Sequence, residues 1–297
     1  MIATAPVVAD TAAVMVTHNG ERHLSAQISS IFSQTSLPAV LVVVDDASTD
    51  ATRGLLREAA ASAPIPVEVI ELDGSRQSDR RTRIASNVIR GLDAVRTYPV
   101  TVLADQDDEW LPERVEGQRR ALLTTPGALL AASDGILIDE DGNPMGETLR
   151  DRFPVPRDWD ALDGAARIRV ALRKPIVTGA CAALTAEMIA LLTPVPRGWL
   201  HDRWATLVAV ARMGLVLQRE STIRYRVHDR QAIGTRDVRL DDHRRRWRQV
   251  LDRGASPVEA AGKARDIVRR IRPLATSPAV RSELSWTAVL RAATDRA

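Results

Sequence analysis

The sequence predicts an α/β protein built on a mostly parallel, Rossmann-like sheet with helices on both faces, followed by a helical C-terminal extension. Short apolar runs alternate with helix patterns along residues 12–104, and this alternation is typical of parallel sheets covered on both faces. Several of the runs are followed by polar or acidic residues, as expected where strands end at an open edge. At 297 residues the chain is long enough to bury a substantial core.

Four apolar runs are predicted as the first strands of the sheet, at residues 12–16, 40–44, 67–72 and 100–104. Helix patterns separate them, around residues 24–31, 49–56 and 84–95. Further strands are expected at residues 129–138 and 223–227, and further helices after Pro112, at 187–192 and from Trp204 onward. The Pro- and Trp-rich stretch at residues 150–163 is predicted to be irregular.

A burst of carboxylates follows the fourth predicted strand, in the segment Asp105–Trp110, which reads DQDDEW. Like charges crowded at one strand end repel each other and raise one another's pKa unless a cation lies between them. Carboxylate oxygens suit a hard divalent cation, Mg²⁺ or Mn²⁺, and such a cation suits a diphosphate. A solvated acidic loop is the alternative interpretation of the same residues.

Three of the predicted strands end in polar clusters: Thr17–Gly20, Asp45 with Asp46, and Asp105–Asp108. Parallel strands in an open sheet present their carboxyl ends at one edge, where ligands bind. Ordinary turn chemistry explains any one cluster equally well, because Asn, Asp and Gly are common in turns. The occurrence of all three favours one shared ligand-binding crevice.

The single cysteine, Cys181, excludes a disulfide framework or a cysteine-based zinc site within one chain. No signal peptide is expected, since residues 1–13 lack a basic start and include Asp10. The longest apolar stretch, residues 204–217, is interrupted by Arg212 and is too short to cross a bilayer. We therefore expect a soluble or peripheral protein of the cytoplasm, placed at the inner face of the membrane if it contacts lipid.

Charge divides the chain into two expected parts, a body at residues 1–235 and a basic helical extension at residues 236–297. The formal net charge is −4 in the body and +7 in the extension. An amphipathic helix on anionic lipid is one interpretation of the extension, and a helix packed on the body or on the second chain of a homodimer is the other. A nucleic-acid partner is not expected, because Trp247 and Trp286 are the extension's only aromatic residues.

Six motifs in one order resemble the inverting family 2 glycosyltransferases of GT-A fold: Thr17–Gly20, Val44–Asp50, Asp105–Trp110, Val177–Gly179, His201–Trp204 and Tyr225–His228. The resemblance covers residues 12–235, and its specificity comes from the ordered set. The Asp-Gln-Asp-Asp form is most similar to the rhamnosyltransferase-like branch, which builds bacterial cell-surface polysaccharides. The resemblance implies a Mg²⁺ or Mn²⁺ cofactor, a dTDP- or UDP-sugar donor, and a glycan or lipid-linked acceptor.

The resemblance also implies roles for individual residues. The implied donor-binding residues are Thr17, Asn19, Asp45, Asp46, Asn87 and Asp105. Asp107 would ligate the metal, His228 would lie near the metal or the diphosphate, and Asp202 would be the catalytic base. A positioned carboxylate that accepts a proton from an attacking hydroxyl typically contributes ~10²–10⁴-fold to the rate.

Several of these residues have plainer interpretations. Asp202 directly precedes a helix pattern, where Asp is a common N-cap. His228 alone is a weak metal signal, and a solvent-facing or core histidine explains it equally well. Trp110 would either wall a sugar pocket or pack in the core. Cys181 is expected to be a small buried residue with no nucleophilic role.

The chain departs from the family pattern where Ala47 replaces the usual Gly, and where residues 81–87 lack the Asn-x-Gly that often precedes the Asn87 position. Other classes of protein remain as alternatives. A sugar nucleotidyltransferase would carry a Gly-rich triphosphate loop after the first strand, and a nicotinamide dehydrogenase would carry G-x-G-x-x-G there; the sequence has neither. A degenerate nucleotide-sugar-binding subunit is the non-enzymatic alternative, and the intact Asp107 and Asp202 argue against it.

Overall fold

A computed structural model of the protein describes residues 5–74, 79–229 and 257–294. The strands in this part of the chain are β1 (Val7–Thr17), β2 (Leu37–Asp45), β3 (Val67–Glu71), β4 (Val100–Asp105), β5 (Glu109–Trp110), β6 (Leu130–Ile138), β7 (Pro144–Thr148), β8 (Ala182–Thr185) and β9 (Leu215–Arg226). The α-helices are α1 (Leu24–Phe32), α2 (Thr52–Ser62), α3 (Arg80–Ala94), α4 (Arg114–Thr124), α5 (Leu149–Arg152), α6 (Gly164–Arg173), α7 (Ala186–Leu192), α8 (His201–Ala211), α9 (Pro257–Asp266), α10 (Pro278–Glu283) and α11 (Trp286–Thr294).

All of these strands join one sheet in the order β3-β2-β1-β4-β8-β6-β9-β5, and β7, which lies off this path, pairs with the C-terminal end of β6 at Ile136 and Ile138. The first four strands run parallel to one another, and β6 runs parallel to β9. Strand β8 is antiparallel to both β4 and β6 and so joins the two parallel groups. The predicted α/β fold with a mostly parallel N-terminal sheet is confirmed.

Successive side chains along the strands point to opposite faces of the sheet, and a hydrophobic core lies on each face. In β1, Ala12 and Val14 pack on the face covered by α3, α6, α7 and α8, whereas Ala13 and Met15 pack on the face covered by α1, α2 and α4. Strand side chains alternate in direction, so a strand that is buried on both faces appears as a continuous apolar run. This explains why β1, β2 and β4 were recognisable from the sequence.

The register of the parallel strands sets where the polar residues lie. Thr17 at the end of β1 lies opposite Asp45 at the end of β2, and Val16 lies opposite Asp105 at the end of β4. The three polar clusters that follow these strands therefore meet at one edge of the sheet. In the other half of the strand order, Ile138 of β6 lies opposite Arg226 of β9. The residues that follow these two strands reach the same edge of the sheet.

Strand β9 is longer than the sequence predicted, because it begins at Leu215 and not at Ile223. Its middle is polar, with Arg219 and Glu220 exposed, so the apolar signal is interrupted. The register with β6 shifts at this point, which lets the polar residues bulge away while pairing continues on both sides. The predicted irregular stretch at residues 150–163 contains only the end of α5 and a short 3₁₀ turn.

The described part of the C-terminal extension packs on the body of the protein. Ala264, Ile267 and Ile271 of the extension are buried in the core on the α6 and α8 side. The indole Nε1 of Trp199 donates to Asp266 Oδ2 over 3.0 Å. The predicted helical segment at residues 241–251 lies outside the described residues. Among the helices that the structure describes, each is too short or too polar to cross a membrane.

A close approach between α3 and β1 gives a test of the fold. A Cβ atom added at Gly91 would lie 2.5 Å from Val14 Cγ1, whereas one added at exposed Gly54 in α2 meets nothing within 4 Å. Gly91→Ala is expected to destabilise by ~1–3 kcal/mol through overpacking. Gly54→Ala is expected to stabilise by up to ~1 kcal/mol through helix propensity. Urea unfolding followed by circular dichroism measures both, and equal effects would contradict the packing described here.

Candidate active site

The loops that follow β1 and β2 are fastened to each other. Asn19 has a positive φ of 49°, its backbone N–H donates to Ser48 Oγ over 2.9 Å, and its Oδ1 accepts from the Thr49 N–H over 2.8 Å. The Gly20 N–H donates to Thr52 Oγ1 over 2.8 Å. Asn tolerates the left-handed conformation better than most residues. The predicted binding residue Asn19 therefore holds the loop after β1 against the loop after β2.

Gln106 joins the end of β4 to the loop after β1. Its Oε1 accepts from Thr17 Oγ1 over 2.6 Å and from the His18 N–H over 2.8 Å, and its Nε2 donates to the His18 carbonyl over 3.3 Å. A Cβ atom at Gly20 would lie 2.5 Å from Gln106 Oε1, so the contact requires glycine at that position. Sequence reasoning gave Gln106 no role, and its place inside the acidic motif was the only signal.

Asp45 and Asp46 lie at different depths in the crevice. Asp45 is fully buried, and its Oδ2 accepts from Arg53 Nε over 2.8 Å and from the Ser48 N–H over 3.2 Å. Its Oδ1 has no hydrogen-bond partner within the described residues. Asp46 is partly open to the crevice, and its Oδ2 lies 3.2 Å from Arg83 Nε. Asp45 therefore supports the wall of the crevice from behind, whereas Asp46 forms part of the surface of the crevice.

A polar cleft of about 370 Å³ opens between the ends of β2 and β3 and helix α3. It is lined by Asp46, Glu71, Leu72, Asp73, Gly74, Arg83, Ser86, Asn87 and Arg90. The Nδ2 of Asn87 is buried here without a hydrogen-bond partner among the described residues. An unsatisfied buried donor costs ~1–3 kcal/mol, so this amide is a candidate contact for a polar ligand.

Asp105 is an exposed residue at the carboxyl end of β4, in a recess lined by other parts of the protein. Poor solvation in this recess, and then the negative charges of Asp107 and Asp202, raise the pKa of Asp105 to about 7. The positive charge of Arg114 acts in the opposite direction. Asp202, in the first turn of α8, is therefore near enough to Asp105 for their negative charges to interact.

Asp107 and His228 form a direct pair, with Asp107 Oδ2 and His228 Nε2 separated by 2.8 Å. Next to them, Asp108 is almost completely buried, and its Oδ1 accepts from the Arg226 N–H over 2.9 Å. Burial, and then the charges of Asp107 and Asp105, raise the pKa of Asp108 well above 3.8. The predicted metal pair is thus brought together, and Asp108 lies behind it.

Two buried arginines hold the acidic segment in place. Arg226 donates from Nε to the Asp107 carbonyl over 2.9 Å and from Nη2 to Glu109 Oε1 over 2.6 Å. Arg114 lies under the segment and donates from Nη2 to the Leu103 carbonyl over 2.8 Å. Burial lowers the pKa of Arg114 to about 10, which leaves it charged at neutral pH.

Asp202 occupies the first turn of α8, and the N-cap position itself belongs to Leu200. The Asp202 carboxylate accepts from the Gly179 N–H at Oδ2 over 3.3 Å and from the Arg203 N–H at Oδ1 over 2.6 Å. A Cβ atom at Gly179 would lie 2.6 Å from His201 Nε2, so the loop can approach α8 this closely only with glycine there. The carboxylate is fixed in orientation while it remains partly exposed.

Two residues behave as their plainer interpretations suggested. Cys181 is buried, and burial raises the pKa of its thiol to about 12, so it is no nucleophile at neutral pH. Trp110 is 4% exposed and packs in the core, with the Arg114 guanidinium carbon 4.4 Å from its ring centre. Neither side chain lines the polar cleft.

The family comparison agrees with this arrangement. A model of glycosyl transferase family 2 matches residues 12–188, which is more than half of the chain. The chain therefore belongs to glycosyl transferase family 2 and is a glycosyltransferase. This result sets aside the sugar nucleotidyltransferase and dehydrogenase alternatives.

Solved structures share the fold. S. aureus TarS 1-349 in complex with UDP-GlcNAc is 12% identical and superposes with a TM-score of 0.54, over 96% of this chain and 90% of that chain. Glucosyl-3-phosphoglycerate synthase from Mycobacterium tuberculosis, in complex with Mn²⁺, UDP and glucosyl-3-phosphoglycerate, is 19% identical with a TM-score of 0.50, over 82% and 77%. This chain spans about half of the longer S. aureus TarS, covering 95% of itself and 52% of that chain, with 13% identity and a TM-score of 0.52. The predicted GT-A fold is confirmed.

Because the carboxyl group of Asp108 is buried, we expect its contribution to the free energy of unfolding to fall as pH rises. Because the folded-state pKa lies well above 3.8, the folded protein holds this proton more tightly than the unfolded chain, and stability is lost as pH rises above about 4. Asp108→Asn removes this titration. Relative to the parent, the variant is expected to be more stable at pH 8 than at pH 5.

Urea unfolding in EDTA at both pH values measures this difference. Asp141→Asn, at an exposed position in the turn between β6 and β7, is the matched control and is expected to show the same relative stability at both pH values. A relative stability of Asp108→Asn that does not change with pH would contradict the buried-charge account.

Proposed function

We propose that this family 2 glycosyltransferase is an inverting, metal-dependent enzyme that transfers a sugar from a nucleoside diphosphate to a glycan or lipid-linked acceptor. The observation that supports this proposal best is the meeting of three features at one sheet edge. These are the polar cleft beside Asn87, the Asp107–His228 pair, and the Asp202 carboxylate held by the Gly179 N–H. Ligands of open α/β sheets bind at this edge.

The cleft offers chemistry suited to a nucleotide. Asn87 Nδ2 supplies a donor without a protein partner in the described part of the chain, and Asp46, which lines the cleft, supplies carboxylate oxygens as acceptors. Arg83 and Arg90 add positive charge to the lining, which favours a phosphate-bearing ligand. Solved structures of the same fold include complexes with UDP-GlcNAc and with UDP and Mn²⁺, which makes a nucleotide-sugar donor the natural candidate here.

The Asp107–His228 pair fits a divalent cation. One carboxylate oxygen and one imidazole nitrogen already converge to 2.8 Å, and both types of atom ligate Mn²⁺ and related ions. Desolvation, and then the negative charges of neighbouring carboxylates, raise the pKa of Asp105 and Asp108, and a bound cation would relieve the second of these effects. A Mg²⁺ or Mn²⁺ ion held by Asp107 and His228 would supply Lewis-acid stabilisation of the charge on the departing diphosphate.

Asp202 is the proposed catalytic base. It removes the proton from the acceptor hydroxyl while the hydroxyl oxygen bonds to the anomeric carbon and the bond to the nucleoside diphosphate breaks. Attack on the face opposite the leaving group inverts the anomeric configuration. The Gly179 and Arg203 N–H groups hold both carboxylate oxygens, so the base is oriented before the acceptor arrives.

The finer specificity rests on the sequence resemblance. The Asp105–Asp108 motif favours rhamnose, carried by dTDP or UDP, in the synthesis of bacterial cell-surface polysaccharide. A lipid-linked acceptor would place the protein at the inner face of the membrane. The exposed side chains of Arg265, Arg269 and Arg272 would then provide positive charge toward anionic lipid.

Donor binding is tested by thermal unfolding with Mn²⁺ and a panel of nucleoside diphosphates and nucleotide-sugars. A ligand that binds only the folded state raises the unfolding midpoint. The unfolding midpoint of the parent is expected to rise with dTDP or UDP. Asn87→Ala is expected to bind the nucleotide about tenfold more weakly and so to show a smaller rise. The metal-dependent part is expected to be absent in Asp107→Asn. If no nucleotide shifts the midpoint of the parent, the donor-site proposal fails.

The role of Asp202 is tested by its conservative replacement. Asp202→Asn is expected to keep donor binding, because the residue does not line the donor cleft, and to lower turnover by ~10²–10⁴-fold. Asp160→Asn, at an exposed position, is the matched control and is expected to retain full turnover. Turnover by Asp202→Asn within a few-fold of the parent would remove this residue from the role of base.

A further inference from the structure

A second group of metal-type ligands lies at the same sheet edge and combines His228 with two residues that have no role proposed above. Strands β6 and β9 run parallel with Ile138 opposite Arg226, and the Val227 N–H donates to the Ile138 carbonyl over 2.9 Å. The chain continues past both strands, and this places Glu140 beside His228. The start of α1 brings a third ligand, His23, whose ring centre lies 5.3 Å from that of His228.

The ligand atoms of these three residues lie close together. One ligand atom each from His23, Glu140 and His228 lies within 4.8 Å of the others. The buried Nε2 of His23 has no hydrogen-bond partner among the described residues. Glu140 pairs with Arg22, but the two side chains are 36% and 49% exposed, and an exposed ion pair of this kind contributes little and exchanges readily.

We propose that His23, Glu140 and His228 form a binding site for a divalent transition-metal ion such as Zn²⁺. Two imidazoles and one carboxylate are a common ligand set for zinc and related ions, and they leave a further position for water or substrate. Zinc–ligand bonds of about 2.0–2.1 Å place tetrahedral ligand atoms roughly 3.4 Å apart. The three side chains therefore need to approach by little more than 1 Å, and His23 gives up no hydrogen bond in doing so.

The ligand chemistry separates this site from the ion proposed at Asp107. Imidazole-rich sites prefer zinc, cobalt or nickel, whereas Mg²⁺ prefers oxygen ligands. His228 is common to both groups, so occupation of the new site competes with the contact between His228 and Asp107. Zinc is accordingly expected to inhibit sugar transfer. The site itself does not depend on the proposed function, because it is tested by binding without nucleotide.

The test is calorimetric titration of Zn²⁺ into the untagged, metal-free full chain without nucleotide. One Zn²⁺ is expected to bind per chain, and His23→Gln and Glu140→Gln are each expected to weaken binding by at least about tenfold. The matched controls are His18→Gln and Glu147→Gln. In the parent, the His18 ring contacts the Asp46 carbonyl and Glu147 pairs with Arg152. Both controls are expected to bind as the parent does, and circular dichroism verifies the folding of every variant.

Each outcome decides the proposal. Weakening by His23→Gln and Glu140→Gln, with Zn²⁺ binding retained in Asp107→Asn, supports the separate site. Zn²⁺ binding that is lost in Asp107→Asn but unchanged in His23→Gln would place the ion at the Asp107–His228 pair and overturn it. Absence of Zn²⁺ binding to the parent, or equally tight Mg²⁺ binding, would also overturn it. In those cases the nucleotide experiments above would still stand or fall on their own results.

Discussion

The arrangement depends on how the negative charge at the end of β4 is balanced. Asp105, Asp107, Asp108 and Glu109 are nearly consecutive in the sequence, and a buried ion costs several kcal/mol unless it is paired and hydrogen-bonded. Arg226 pairs with Glu109 and binds the backbone of Asp107, and it thereby fastens β9 to the acidic segment. The short β5–β9 pairing, with Glu109 opposite Arg224, continues the same attachment.

This attachment also explains the position of the distant C-terminal half of the site. His228 follows β9 directly, so the contacts that hold Arg226 fix the backbone from which the imidazole reaches Asp107. Desolvation, and then the charges of neighbouring carboxylates, raise the pKa values of Asp105 and Asp108. A sheet edge that carries several carboxylates attracts cations, and this favours both the ion proposed at Asp107 and the site proposed at His23.

Much of the fold was predictable because its signals are local. Strands β1, β2 and β4 contain largely apolar runs and β3 is a β-branched segment, and the observed strands contain nearly all of the predicted residues. Strand β8 was missed, since its sequence of Ala182–Thr185 is short, mostly alanine, and gives no periodic signal. The residues at the strand ends were also predictable, because parallel topology alone brings them to one edge. The roles of Gln106, Arg83 and His23 were not, since each is defined by a partner far away in the sequence.

The start of α3 shows how the chain accommodates its departure from the family pattern. Asp79 caps the helix by accepting from the Arg81 and Thr82 N–H groups, and Thr82 Oγ1 accepts from the Gly198 N–H over 2.8 Å. The helix start is thus anchored without the usual Asn-x-Gly, and Arg83 points toward Asp46 in the cleft. A phosphate-bearing ligand would compete with Asp46 for this guanidinium, and phosphate pairs with arginine through strong charged hydrogen bonds. Side-chain hydrogen bonds therefore hold the start of this helix, and Arg83 adds a positive charge to the lining of the cleft.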